Sequence, residues 1–206
     1  MLRQIILVYL LIYKLALGYI NIYPTFFYEK LKNNEIFKTI ILSNTTDKII
    51  RYRLYTEEDE YKGIKVEVYP KSVTLKPFEK EEIKILITAE DSIVGEFSKK
   101  LVIKEIELPR EKKKVLTMFK LKLTGFDGDI EPKLEVKELG KNRFSIRNTG
   151  KRAGIYDIYN LEEEFIDSII LKKNEVKELE IDDETLIFEE KFKGKEMVKR
   201  GISNET

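Results

Sequence analysis

The 206-residue chain has no cysteine and no histidine. The first absence excludes disulfides, thiol nucleophiles and thiolate metal sites; the second removes the usual general base and the commonest zinc ligand. An excess of charge of one sign is missing too. With 38 basic side chains against 37 acidic ones, no global field draws in nucleic acid or an anionic membrane. No glycine-rich phosphate loop is present. The expectation is a protein with no catalytic residue, metal or cofactor, since an enzyme would have to work with carboxylates or lysine alone. Such a carboxylate-dependent hydrolase is the weakest reading, because Glu57-Glu58 and Glu162-Glu163-Glu164 sit in polar turns or at strand edges with nothing to desolvate them. The basic cluster REKKKV (110–115) lacks the interleaved aromatics of a nucleic-acid surface.

What is there begins with Arg3 and the apolar run IILVYLLIYKLALG. The run is shorter than the ~20 residues of a spanning helix. Ala16 and Gly18 sit at the −3 and −1 positions of a cleavage after Gly18. Residues 1–18 are therefore expected to be a signal peptide, and the remainder an exported protein not inserted in a membrane after cleavage. Retention of the run as an anchor is the alternative. No cysteine follows it to carry a lipid.

The rest reads as β-structure. The runs 36–44, 48–56, 64–70, 82–89, 96–108 and 115–125 are rich in Ile, Val, Phe, Tyr and Thr. Ile64, Val66 and Val68 alternate with Lys65 and Glu67, and Ile83, Ile85 and Ile87 with Lys84 and Leu86, which is the pattern of strands with one wet and one buried face. With a first strand at 19–30, in which either Phe26 or Phe27 must face the core, this makes about seven strands. The expected fold class is all-β, with an immunoglobulin-like sandwich as the first domain, 19–126. GFDGDIEP (125–132) then reads as a hinge; Asp127-Gly128-Asp129 has the start of a calcium loop, but the remaining ligand spacing of such a loop is absent.

Beyond the hinge the sequence partly repeats. SNTTDKIIRYRLY has a counterpart in IRNTGKRAGIYDIY, and TLKPFEKEEIKI (74–85) aligns without a gap to ILKKNEVKELEI (170–181). Leu75 then matches Leu171, Glu79 matches Glu175 and Ile85 matches Ile181. The expectation is a second, smaller sandwich over 127–206, one hairpin shorter, with its polar end from about 195 fraying. Asn44-Thr45-Thr46 is a glycosylation sequon in form, but serves the pattern better as a turn.

The run VLTMFKLKLTG alternates on both faces. Val115, Thr117, Phe119, Leu121 and Leu123 share one face; Leu116, Met118, Lys120 and Lys122 share the other. A strand apolar on both faces at its start is either central in a sheet or an edge that accepts a partner's strand.

Taken in order, Pro24-Thr25 in the first strand, SNTT after the second, YP…LKP ahead of the fifth, IKEIELPREKKKVLTMFKL, then Pro132 and SIRNTG, the chain resembles the PapD-like periplasmic chaperones of pilus assembly. The resemblance covers essentially the whole mature chain. It implies a non-enzymatic periplasmic chaperone of tandem immunoglobulin-like domains that binds exported pilin-like subunits by donor-strand addition. An outer-membrane usher would be a further partner, and a homodimer could form through the same strand edge. Leu116 and Met118 would be the client-binding donor residues. Lys122 would be a carboxylate anchor, and Phe26 would face the interdomain cleft. In the family's P-T-R motif the third residue is arginine; here it is Phe26, which has no guanidinium fork for a carboxylate. The alternative is a non-chaperone structural or adhesive surface protein of tandem immunoglobulin-like domains.

Overall fold

The computed structural model describes residues 20–57, 63–90, 95–108, 116–140, 142–182 and 185–199. The expected signal peptide, Glu58, the cluster at 110–115 including Val115, and the final residues 200–206 lie outside the described residues. The chain divides between Asp127 and Gly128 into two compact units.

In the first unit, β1 (Ile20–Tyr23), β3 (Glu35–Asn44), β7 (Lys80–Ala89) and β5 (Ile64–Tyr69) form one sheet, in the order β1-β3-β7-β5. The second sheet runs β2-β9-β8-β4-β6, with β2 (Tyr28–Lys30), β9 (Met118–Asp127), β8 (Gly95–Ile106), β4 (Ile50–Thr56) and β6 (Ser72–Leu75). The alternation seen in the sequence does the packing. Ile83, Ile85 and Ile87 of β7 are fully buried, against Leu42, Leu54, Leu101 and Leu123 in one cluster. Each such side chain contributes about 1.5–3 kcal/mol on burial.

Two expectations are corrected here. The run 19–30 is two strands, not one: β1 pairs antiparallel with β3, whereas β2 pairs parallel with β9 in the other sheet. The chain crosses the sandwich over Pro24–Phe27, and Pro24 has no N–H with which to extend the β1 ladder. A second crossing at Pro70 and Lys71 separates β5 from β6, which pairs with β4. The split of 19–30 and the extra strand β6, which lies beyond the expected run 64–70, turn the expected seven strands into nine among the described residues.

The second unit has β10 (Leu134–Gly140), β11 (Arg143–Asn148) and β14 (Val176–Glu180) in one sheet. The other runs β13-β12-β15-β16, with β13 (Phe165–Leu171), β12 (Gly154–Tyr159), β15 (Thr185–Glu190) and β16 (Gly194–Lys199). The polar end does not fray from 195, because β16 pairs antiparallel with β15. Phe144, Ile146, Tyr156, Ile158, Leu171, Leu186 and Phe188 form the core. Beside them Arg152 makes a buried, two-pronged pair with Glu190, at 2.9 and 3.1 Å.

The internal repeat is structural. Asn44, at the end of β3, is buried; its Nδ2 donates to the carbonyls of Lys48 (2.7 Å) and Lys76 (2.8 Å), and its Oδ1 accepts from Thr46 N–H. Asn148, at the end of β11, is buried likewise; its Nδ2 donates to the carbonyls of Arg152 (2.8 Å) and Leu171 (3.0 Å), and its Oδ1 accepts from Gly150 N–H. The sequon residue Asn44 is thus a turn brace with its amide consumed. In each unit the Asn also reaches the carbonyl of the matching Leu, 31 residues on in the first and 23 in the second. The shorter spacing reflects the missing equivalent of β5: the second unit passes from β12 directly to β13.

Candidate functional site: the free edge of β9

β9 answers the question left by its two-faced pattern, being both central and edge. Along its whole length it pairs antiparallel with β8, from Met118 opposite Lys104 to Asp127 opposite Gly95. On its other side β2 covers only Thr124, Gly125 and Phe126. Thr124 N–H also donates to Phe27 O, and Leu31 N–H to Phe126 O, extending that cover. Among the described residues, nothing pairs with the other edge of Met118–Leu123. The covered half is wedged into the core: a Cβ on Gly125 would lie 2.4 Å from the Phe97 ring, so only glycine fits there.

The side chains split by face as period two requires. Leu121 and Leu123 are buried in the core, and Phe119 packs against it. Leu116 and Met118 point the other way, 39% and 53% exposed, followed on that face by exposed Lys120 and Lys122. The strand proper begins at Met118; Leu116 and Thr117 precede it.

The start of this edge is tied down. Thr117 donates its backbone N–H (2.9 Å) and its hydroxyl (2.8 Å) to Glu105 Oε2, and Glu105 N–H donates to Thr117 O. Glu105 is buried on the core face of β8. Tyr52 Oη lies 3.4 Å from Thr117 Oγ1. Burial pushes the Tyr52 phenol pKa up, the Thr117 contact opposes this, and the Glu105 charge adds to the rise.

Lys120 forms an ion pair with Glu57, which also lies 3.8 Å from Lys100. The hydrogen bond from Lys120 holds the Glu57 carboxyl below the usual carboxylate range, and Glu57 in turn raises Lys120. Lys122 makes no ion pair among the described residues. Of the two aromatics in the crossing, Phe27 is the core residue and Phe26 is 47% exposed. Thus β9 brings Leu116, Met118 and Lys122 onto one face, whereas Phe26 belongs to the crossing between β1 and β2. Reading from the sequence missed Glu105, although its alternation with Leu101 and Ile103 on β8 carried the signal. Among the described residues no cluster of three acidic side chains could hold a metal ion.

No family model matches the chain, and no curated protein sequence matches it. Solved structures do. The chain is 17% identical to one in the CsuC-CsuE chaperone–tip adhesion subunit pre-assembly complex of Acinetobacter baumannii, covering 80% of this chain and 91% of that one, with a TM-score of 0.44. To the E. coli chaperone DraB the identity is 12%, the coverage 87% and 96%, and the TM-score 0.49. To a chain in the complex of the Salmonella enterica SafA pilin with the SafB chaperone the identity is 13%, the coverage 89% and 97%, and the TM-score 0.50. With sixteen strands among the described residues, in two sandwich units, the chain has the all-β, two-domain fold of the PapD-like pilus chaperones.

Proposed function

We propose that this protein is a periplasmic assembly chaperone that lends the free edge of β9 to an exported, pilin-like subunit whose own sandwich lacks a strand. The observation that carries the reading is the unpaired edge at Met118–Leu123, with Leu116 and Met118 exposed on its outer face. An added strand would satisfy main-chain donors and acceptors along that edge. Burying Leu116 and Met118 in a client groove contributes about 1.5–3 kcal/mol each, before the cost of ordering both partners. The fold shared with the SafA–SafB complex supports the same reading. Export by a cleaved signal at 1–18, delivery to an outer-membrane usher, and capping of the empty edge by a second copy of the chain belong to this proposal.

Lys122 is the cation offered to a client carboxylate. With Phe26 where the related chaperones carry arginine, that anchor is a single point charge and not a two-pronged clamp. The client is therefore held chiefly by the strand and its apolar side chains.

The test is capture from periplasm followed by mass spectrometry. Leu116→Asp with Met118→Asp is expected to abolish co-purification of the client while leaving the melting temperature nearly unchanged, since both side chains are exposed. A client that persists on the double variant overturns strand addition and returns the protein to a structural tandem-domain role.

A further inference from the structure

The outer face of the sheet beside the free edge is cationic. Arg51 and Arg53 of β4, Lys100 and Lys104 of β8, and Lys120 and Lys122 of β9 are all exposed on it. Four of these cations face each other in two pairs across ladders: Arg53 lies opposite Lys104, and Lys100 opposite Lys122. Like charges directly opposed weaken a sheet, so the arrangement is not what stability alone selects. Among the described residues the opposing charge is sparse. Glu57 serves Lys120 and Lys100, and partly buried Glu96 lies further along β8. Arg53, Lys104 and Lys122 make no ion pair among the described residues. Glu58, Asp59 and Glu60 follow Glu57 outside them.

Resting on the strand-addition reading, we infer that the client presents acidic side chains to this face, beside the apolar ones that meet Leu116 and Met118. The geometry carries the step. Leu116 and Met118 project from the outer side of β9, so a client that buries them must place its body over that side. Met118 is flanked across the ladder by Lys104, and Lys122 by Lys100. A client strand laid along Leu116–Leu123 therefore sets its outer-face residues beside two apolar positions, Leu116 and Met118, and then two lysines, Lys120 and Lys122. An acidic residue beside Lys122 relieves its opposition to Lys100, and one beside Lys120 joins Glu57 there; an apolar residue beside Lys122 would desolvate it without an ion-pair partner, and basic residues would add to the repulsion. The charge pattern thus acts as a selector among β-rich subunits, accepting those that run from apolar to acidic.

The probe is a set of three synthetic strand peptides, capped at both ends so that no terminal carboxylate contributes. They share two leucines on one face, followed on that face by two glutamates, two glutamines or two lysines. Affinity is measured by titration, and the site is read from amide-exchange protection of Met118–Leu123. The glutamate peptide should bind roughly fivefold tighter than the glutamine peptide, because each opposite-charge cross-strand pair contributes modestly. The lysine peptide should bind weakest, and the spread should narrow as salt is added. Lys100→Gln with Lys104→Gln should shrink the glutamate preference and leave binding of the glutamine peptide unchanged. Equal affinity for the glutamate and glutamine peptides overturns the acidic-client inference while leaving strand addition standing. Failure of all three peptides to protect β9 overturns strand addition, and this inference with it. Displacement of the glutamate peptide by phosphatidylglycerol vesicles that bind the protein directly would assign the face to lipid and overturn it as well.

Discussion

Glu105 Oε2 accepts both the backbone N–H and the hydroxyl of Thr117, at 2.9 and 2.8 Å. A buried carboxylate thus holds the first residues of an edge that is otherwise paired on one side only. Replacing Glu105 with alanine leaves these donors without that acceptor, at an expected cost of about 1–3 kcal/mol. Amide exchange at Phe119, the next residue of β9 whose N–H faces β8 as that of Thr117 does, should accelerate well before exchange at Leu123 further along the same ladder. Glu105→Gln should be milder, since its amide oxygen still accepts. Unchanged exchange at Phe119 in Glu105→Ala would show that the β8 ladder alone holds the edge.

The same cluster sets an alkaline dependence. Burial, ahead of the other causes, raises the Tyr52 phenol pKa in the folded protein. A group whose folded pKa exceeds its unfolded value stabilises fully below the unfolded value and loses that contribution as pH rises through the folded one. For a phenol the loss begins near about pH 10. Denaturant titrations on either side of that pH should show a shallower alkaline decline for Tyr52→Phe than for the natural protein. Parallel declines in the two proteins would remove Tyr52 as the cause.

Asn44 and Asn148 each brace a turn by bonding several backbone groups from a buried position. Alanine at either site strands those carbonyls and N–H groups, and a loss of about 3 kcal/mol is expected for each. Aspartate should fall between, because it keeps the acceptor and loses the donors. Urea unfolding of the alanine and aspartate series at each site checks the order.

One turn carries the opposite kind of residue. Phe78 sits at φ 61° and is 70% exposed, so it accepts a left-handed backbone without burying its ring in return. The matching residue of the second unit is Asn174, at φ 62°. Phe78→Asn should stabilise the protein by about 1 kcal/mol, as asparagine tolerates that conformation far better. A rise in the denaturation midpoint without a change in slope is the expected reading.

How much of this was legible follows from which forces are local. The alternation of Ile83, Ile85 and Ile87 fixes a face wherever a sandwich is built, so β7 and its neighbours could be read directly. The Asn-Thr repeat was legible because one side chain does the same hydrogen-bonding work in both units. The sheet switches at Pro24 and Pro70 were not: apolar residues look alike whichever of two sheets they face, and β6 is only four residues long. Glu105 lay within the strand run 96–108 but was not singled out, because a carboxylate in a half-wet strand reads as solvated, although period two already placed it with Leu101 and Ile103. That Leu116 and Met118 share one face was legible in the alternation, and both are exposed. That only half of β9 has an open edge depends on β2, whose parallel pairing comes from residues about ninety positions earlier in the chain.

That short parallel strand also limits how far a newcomer can travel. Because Tyr28 already occupies the place beside Thr124, a strand sliding along β9 from its loop end runs out of track after Leu123. The available length is roughly 20 Å. For the proposed strand addition β2 would therefore be an end stop, giving an incoming strand a fixed terminus to butt against and turning a uniform backbone ladder into a berth with one depth.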